Sequence, residues 1–358
     1  MSKEKLQRPP AELLHEKELA RLDEADAAPR PPGWRLSLTA ARDFILGNAA
    51  LEVAPKFVGD PSLVERSLVT LATNRGLMLV GDPGTAKSLL SELMAAAVSG
   101  DSTLTVQGGA ATTEDQIAYS WNYSLLVSEG PSERALVPAP LLDGMREGKV
   151  VRFEEITRCP LEVQDSLLSP LSDRALAIAE LEGEQSMVFA REGFTIIGTA
   201  NTRDRGVNDM SAALKRRFNF ETVFPIADFD TELALVQREA DRILKRSGVP
   251  EAPEKDVLAV LVRVFRDLRE GDGTSGRLQS ALSTAEAVSV AHSMGVKAWY
   301  TRQERATAGD IVDCIAGAAA KDSADDTARL RRYLEQKASK RKGEHWADLY
   351  AARHGLPG

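Results

Sequence analysis

Residues 81–88 read Gly81-Asp82-Pro83-Gly84-Thr85-Ala86-Lys87-Ser88, between the apolar run Leu77-Met78-Leu79-Val80 and the segment Leu89-Leu90-Ser91-Glu92-Leu93-Met94. A short strand feeding a glycine-rich turn that opens a helix lets successive backbone N–H groups converge on a phosphate, aided by the positive helix end. In this reading Asp82, Pro83, Gly84, Thr85, Ala86 and Leu89 frame the loop, Lys87 reaches the β and γ phosphates, and the Ser88 hydroxyl ligates Mg2+. The usual pattern has glycine immediately before the lysine, where this chain has Ala86. The extra methyl group is tolerable if that residue keeps an ordinary helical φ. The competing reading is a Gly-Pro turn that merely starts a helix.

Composition frames the motif. A chain of 358 residues with 43% hydrophobic content can bury a sizeable core, as one large domain or two coupled ones. A formal net charge of -8 argues against a surface that attracts nucleic acid or anionic lipid over its whole extent. Cys159 and Cys314 lie far apart, without a Cys-x-x-Cys or Cys/His cluster, which suits a reducing cytosol and offers no metal site. No apolar stretch approaches the roughly 20 residues that cross a bilayer, and the N-terminus is charged. The expectation is a soluble cytoplasmic protein with no membrane contact.

The first residues mix charges with prolines and end in Pro31-Pro32-Gly33, which reads as an extended linker carrying at most a short helix between Ala11 and Ala25. Residues 1–35 are therefore expected to be a flexible segment, and removal of residues 1–33 is expected to leave activity in place. From residue 36 to 226, short apolar runs alternate with amphipathic stretches, as in a parallel sheet with crossover helices on both faces. The strand candidates are Leu77–Val80, Ser102–Val106, Lys149–Phe153, Thr195–Thr199 and Asn219–Phe224. Such α/β sheets place their chemistry at the carboxyl edge. After Pro225 the pattern turns helical, with candidates over Thr231–Lys245, Asp256–Arg269, Arg277–Met294 and Thr307–Ala320. Residues 227–320 thus read as a small helical domain, and 321–358 as a charged tail of surface helices.

Four further stretches carry chemistry. Glu154 and Glu155 end the apolar strand Val150-Val151-Arg152-Phe153, and adjacent carboxylates there are costly unless a cation or a task holds them. Beside a phosphate loop, Glu154 belongs in the Mg2+ shell and Glu155 polarises the attacking water. Aspartate is usual at the first position, so Glu154 extends the reach by a methylene. Asn201 closes the strand Thr195–Thr199 and would orient water; taken alone, it is an ordinary turn residue. Arg217, in Lys215-Arg216-Arg217-Phe218, would stabilise charge on a phosphoryl group; if it cannot reach its own nucleotide, it must reach a neighbour's. The bland alternative is a solvated basic cluster. Arg277 heads a helix of the second domain, from which it would couple hydrolysis to lid movement.

The order of these stretches resembles the AAA+ ATPases, and within them the MoxR family, over roughly residues 51–320. The most specific parts are the loop at 81–88, Thr112-Thr113-Glu114-Asp115, Phe153-Glu154-Glu155-Ile156, the run from Gly198 through Asn201 to Gly206, and Ala213-Leu214-Lys215-Arg216-Arg217-Phe218. The resemblance implies a P-loop α/β core followed by an all-α lid domain, with ATP and Mg2+ as cofactors. It makes Lys87 and Ser88 Walker A, Glu154 and Glu155 Walker B, Asn201 sensor 1, Arg217 the arginine finger with Arg216 as its rival, and Arg277 sensor 2. Val58 and Gly59 match the segment lining the adenine pocket. Residues 112–130 and 177–194 look like the helix-2 insert and the hairpin before sensor 1; Tyr119, Trp121 and Tyr123 are candidates for client contact or for internal packing. The family further implies a homo-oligomeric, hexameric ring that remodels a protein client in a chaperone-like manner, with a von Willebrand factor A domain protein as one possible partner. A nucleic-acid motor and a nucleotide-switch module with little turnover are the rival readings; the acidic balance and the lack of a DNA-binding motif weigh against nucleic acid.

Overall fold

The computed structural model describes residues 6–201, 210–271, 282–319 and 323–356. The described strands are β1 (Gly76–Gly81), β2 (Thr105–Gln107), β3 (Tyr119–Trp121), β4 (Leu136–Pro138), β5 (Val150–Glu154), β6 (Ala175–Ala177), β7 (Met187–Phe189), β8 (Thr195–Asn201) and β9 (Phe218–Thr222). Five of them form a parallel sheet in the order β2-β5-β8-β1-β9. All five correspond to the strands expected from the apolar runs. The remaining four pair as two antiparallel hairpins, β3 with β4 and β6 with β7. Contacts divide the chain into Met1–Gly81 with Ala86–Val223, and Asp82–Thr85 with Phe224–Gly358.

Side-chain alternation explains why both faces of the sheet are covered. Leu77 and Leu79 of β1, Val150 of β5 and Ile197 of β8 enter one apolar core with the helices Leu38–Leu46, Pro61–Leu71 and Lys87–Ser99. Their neighbours Met78, Val151, Phe153 and Ile196 enter a second core on the opposite face, with Leu141, Leu142, Met145 and Leu171. Successive residues of a strand point to opposite faces, so a strand buried on both sides reads as a continuous apolar run.

The N-terminal segment corrects the expectation of a flexible linker. Helices Ala11–Leu14 and Glu16–Ala25 bury Ala11, Leu19 and Leu22 in the first core. Polar ties hold them down: Glu18 pairs with Lys56 at 2.7 Å, Glu12 accepts from the Ser102 amide and hydroxyl at 3.1 and 2.7 Å, and Asp26 accepts from the Ser37 amide at 2.8 Å. Gly33, at φ 77°, passes so close to the Glu192 carbonyl that a Cβ would lie 2.3 Å from its oxygen. Charge and proline content misled because the apolar residues are few but spaced to lie on one helix face.

The C-terminal unit is helical among its described residues: Phe229–Arg246, Lys255–Glu270, Thr284–Arg302, Asp310–Ala319, Ala324–Gln336 and Glu344–Ala351. Val257, Leu258, Val260, Leu261, Val264, Phe265 and Leu268 are buried along one helix, as its periodicity predicts. The charged tail is not a surface appendage. Leu330, Tyr333, Leu334 and Leu349 are buried in the same core as that helix, and Tyr333 donates to Asp267 at 2.8 Å. Inside this unit Glu232, fully buried, is met by Arg266 at 3.2 Å, Arg269 at 2.8 Å and the Thr284 hydroxyl at 2.7 Å.

Truncating Leu19 or Leu22 to alanine should lower unfolding free energy by about 2–5 kcal/mol each in urea titrations, the range for a core cavity. Deletion of residues 1–33 should abolish the cooperative transition of the α/β unit; an unchanged midpoint would mean that the segment is dispensable.

Candidate functional site

Parallel register brings four strand ends together at the carboxyl edge, with Glu154 two residues short of the level of Asn201. Gln107 is level with Glu154, and Gly81 is level with Asn201. The loop after β1 leads into helix Lys87–Ser99, whose first N–H groups and positive dipole end face the same edge. Lys87 is buried and its ammonium donates to the Gly81 carbonyl at 3.0 Å, so it folds back toward the end of β1. Thr85 closes the turn by donating its hydroxyl to the Asp82 carbonyl at 2.9 Å.

Ala86 departs from the expected ordinary helical geometry. It sits at φ 67°, ψ 23°, in the left-handed region. Glycine at the corresponding place in the usual pattern takes such angles without steric cost, whereas an L-residue incurs about 1–2 kcal/mol. The residue missing from the pattern was the signal for this strain. Gly84 is also left-handed, at φ 74°. A second non-glycine residue at the site shares the conformation: Glu155, at φ 55° and ψ 43°, turns the chain sharply after β5.

The two carboxylates have different surroundings. Glu154 is 5% exposed. Its Oε2 accepts from the Ser88 hydroxyl at 2.6 Å and the Thr199 hydroxyl at 2.8 Å; its Oε1 faces the Ser91 hydroxyl at 2.7 Å and the Arg152 guanidinium at 2.8 Å. Burial by itself would push the carboxyl up, but the hydrogen bonds from Ser88 and Ser91, the Arg152 charge and Thr199 outweigh it and hold the group below its ordinary 4.5. Glu155 is more open. It pairs with Arg158 at 2.9 Å and accepts from the Asn201 side-chain amide at 3.2 Å, while its backbone amide donates to the Thr199 hydroxyl at 2.9 Å. Thr199, Ser91, Arg152 and Arg158 escaped the sequence reading, because a hydroxyl or a cation inside a strand or helix signals nothing until its facing neighbour is known.

Ser88 and Glu154 supply hard oxygen donors that suit Mg2+. Among the described residues no group of three or more His, Cys, Asp and Glu side chains converges. A dication there would therefore rest on a hydroxyl, a carboxylate, water and a phosphate-bearing ligand, the manner in which Mg2+ is ordinarily held.

The other candidates are dispersed. Val58 and Gly59 precede helix Pro61–Leu71, with Gly59 exposed and Val58 half-buried. Leu89 is exposed on the helix that follows the loop. Arg217 is at the opposite end of the sheet from its own loop: the Gly76 amide donates to the Arg217 carbonyl at 3.0 Å, and the length of β1 between Gly76 and Gly81 is roughly 16 Å at about 3.3 Å per residue. The Arg217 side chain donates to the Ser172 hydroxyl at 2.6 Å. Arg277 lies outside the described residues.

The two insertions touch each other. The Tyr119 hydroxyl on β3 donates to Glu180, between β6 and β7, at 3.0 Å, and burial together with that carboxylate pushes the phenol up to about 12. Tyr119 and Trp121 stack edge to face at 6.1 Å, so these two aromatics are committed to internal packing. Tyr123 is 73% exposed, and Val127, Met187 and Phe189 are exposed as well.

Two expectations follow for stability. Ala86→Gly should raise unfolding free energy by about 1 kcal/mol or less, since relief of the left-handed strain is partly offset by glycine's greater freedom when unfolded. The Glu154 carboxyl is lower in the folded chain than when unfolded, so it stabilises above pH 4.5 and that contribution is lost as pH falls through the folded value. The stability difference between wild type and Glu154→Gln, measured in urea across this window, should shrink with acidification.

Comparison with known proteins places these features among relatives. Residues 76–218 match the family model described as an AAA domain of the dynein-related subfamily, and residues 230–357 match that of the YehL-like AAA+ ATPase C-terminal domain. The protein YehL of Escherichia coli is 61% identical over 355 residues, covering 98% of each chain. The chaperone MoxR1 of Mycobacterium tuberculosis is 28% identical over 232 residues, 64% of this chain and 55% of that protein. Among solved structures, NtrX from Brucella abortus in complex with ADP superposes with a TM-score of 0.52 at 14% identity, covering 84% of this chain and 64% of that one, a likeness of fold alone.

Proposed function

Since the chain belongs to the YehL-like AAA+ ATPases, which are of the MoxR type, we propose that it hydrolyses Mg-ATP at the loop Gly81–Ser88. Lys87 would bind the β and γ phosphates, and Ser88 with Glu154 would hold the Mg2+ shell that neutralises phosphate charge. Val58 and Gly59 would line the adenine. Glu155 would accept the proton of the attacking water, and Asn201, whose amide already meets Glu155 at 3.2 Å, would orient that water. Arg277 would act from the helical lid domain.

The observation that carries this reading is the convergence of the Ser88 hydroxyl on Glu154 and of Asn201 on Glu155, beside a helix start. A turn that merely began a helix would have no reason to bury a carboxylate against it. The distance between Arg217 and its own loop supports action in trans: the arginine of one subunit would complete the site of the next. That is the reason to propose a homo-oligomeric ring, hexameric by family resemblance. The ring would use the cycle to remodel or assemble a protein client, with MoxR1, a chaperone, as the relative that suggests it. A von Willebrand factor A domain protein is a candidate partner, and the cytoplasm the expected location.

A specific observation also favours a low basal rate. Glu155 is held by Arg158 at 2.9 Å, which leaves the proposed base paired until that contact opens. A nucleotide switch with little turnover is therefore the second reading, and phosphate release in the presence and absence of a client separates the two.

Lys87→Ala should abolish binding of a fluorescent ATP analogue. Glu155→Gln should retain binding and lose turnover by about 100-fold or more, the contribution of a positioned base. Arg217→Ala should bind but not hydrolyse, and mixing it with Glu155→Gln subunits should restore activity. Tight binding by Lys87→Ala would remove the loop assignment; mixtures that stay inactive would remove action across subunits.

A further inference from the structure

Resting on the ATPase reading above, we propose that Arg152 is a positioning residue of the metal side of the site: it reserves one oxygen of Glu154 for the protein and aims the other at Ser88. Arg152 and Glu154 are two residues apart on β5, so both point to the face of helix Lys87–Ser99, away from Val151 and Phe153. A strand covered on both faces ordinarily carries apolar residues there, and Arg152 is only 7% exposed. Its burial is matched by a full set of acceptors. Nε donates to the Ser91 hydroxyl oxygen at 3.0 Å; one terminal nitrogen donates to the Ser102 carbonyl at 3.0 Å and Thr105 Oγ1 at 3.3 Å; the other donates to the Ser88 carbonyl at 3.0 Å and Glu154 Oε1 at 2.8 Å.

This geometry does more than neutralise a charge. The guanidinium grips the backbone of Ser88 and the carboxylate of Glu154 with the same nitrogen, so the acid is referenced to the residue whose hydroxyl meets its other oxygen. With Oε1 taken by Arg152 and Ser91, Oε2 remains for Ser88, Thr199 and, when bound, the water shell of a dication. The chain of contacts continues: Thr199 accepts from the Glu155 amide, so the turn that carries the proposed base is referenced to the same carboxylate. A lysine restores the charge but presents one compact ammonium, which cannot reproduce the planar fork.

The test compares full-length wild type, Arg152→Gln and Arg152→Lys, each confirmed as folded by thermal melting. Affinity for a fluorescent ATP analogue is measured in EDTA, and turnover is measured against Mg2+ concentration. In EDTA, Arg152→Gln should bind the analogue within a few-fold of wild type, because Arg152 meets the Ser88 carbonyl and Glu154 rather than Lys87 or the loop amides proposed to meet the phosphates. Half-maximal turnover should need about 10–100-fold more Mg2+, the usual cost of removing a partner that orients a metal ligand. Arg152→Lys should recover only part of that difference. An unchanged Mg2+ requirement in folded Arg152→Gln, or complete rescue by lysine, overturns the proposal. If Arg152→Gln does not fold, Ser91→Ala, which removes the hydroxyl touching both Arg152 and Glu154, serves with the same readout: a raised Mg2+ requirement supports the proposal and an unchanged one overturns it. Wild type that binds no nucleotide refutes the ATPase reading itself, before any variant is compared.

Discussion

The carboxylate of Glu154 is sunk between β5, β8 and the helix that begins at Lys87, and the α/β unit is organised around satisfying it. An ionised acid in such surroundings would be expensive without partners. Here Ser88 and Ser91 come from the helix, Thr199 from β8, and Arg152 from the same strand. Each partner in turn ties down its own element, so the start of helix Lys87–Ser99, the acid strand and the strand carrying Asn201 are locked in one arrangement.

The helical unit repeats the device. Glu232 is fully buried and is answered by Arg266, Arg269 and Thr284 from two other helices. Asp310 is similarly gripped by Arg302 through two hydrogen bonds, at 3.0 and 2.7 Å, and burial of its carboxyl is outweighed so that it stays below its ordinary 3.8. Such pairs add little net stability compared with apolar substitutes, but removing one member leaves a buried charge and costs about 3–5 kcal/mol.

Two of the five non-glycine residues with left-handed backbone among the described residues, Ala86 and Glu155, lie where function is proposed; Glu52, Arg174 and Gln303 lie elsewhere. Ala86 immediately precedes Lys87, and Glu155 is the proposed base. Neither residue type favours that conformation, so surrounding contacts must impose it. For Glu155 those contacts are its amide bond to Thr199 and its side-chain bonds to Asn201 and Arg158.

The five sheet strands, the major helices of the second unit and the loop at 81–88 could be read from the chain because each is encoded locally, by an apolar run, a helical period or glycine at a turn. Glu154, Glu155 and Asn201 were legible as strand-end polar residues beside the glycine-rich loop at 81–88. Arg152, Ser91, Thr199 and Arg158 were not, since their meaning depends on which side chain faces them across strands and helices far away in sequence. The N-terminal helices and the charged tail were misjudged for the same reason: Leu19, Leu22, Tyr333 and Leu349 are few among charges, and only the packed chain supplies the apolar surface that buries them. Local pattern encodes elements; pairing across the fold decides which of their polar residues form the site, because desolvation and hydrogen-bond geometry exist only once the elements are packed.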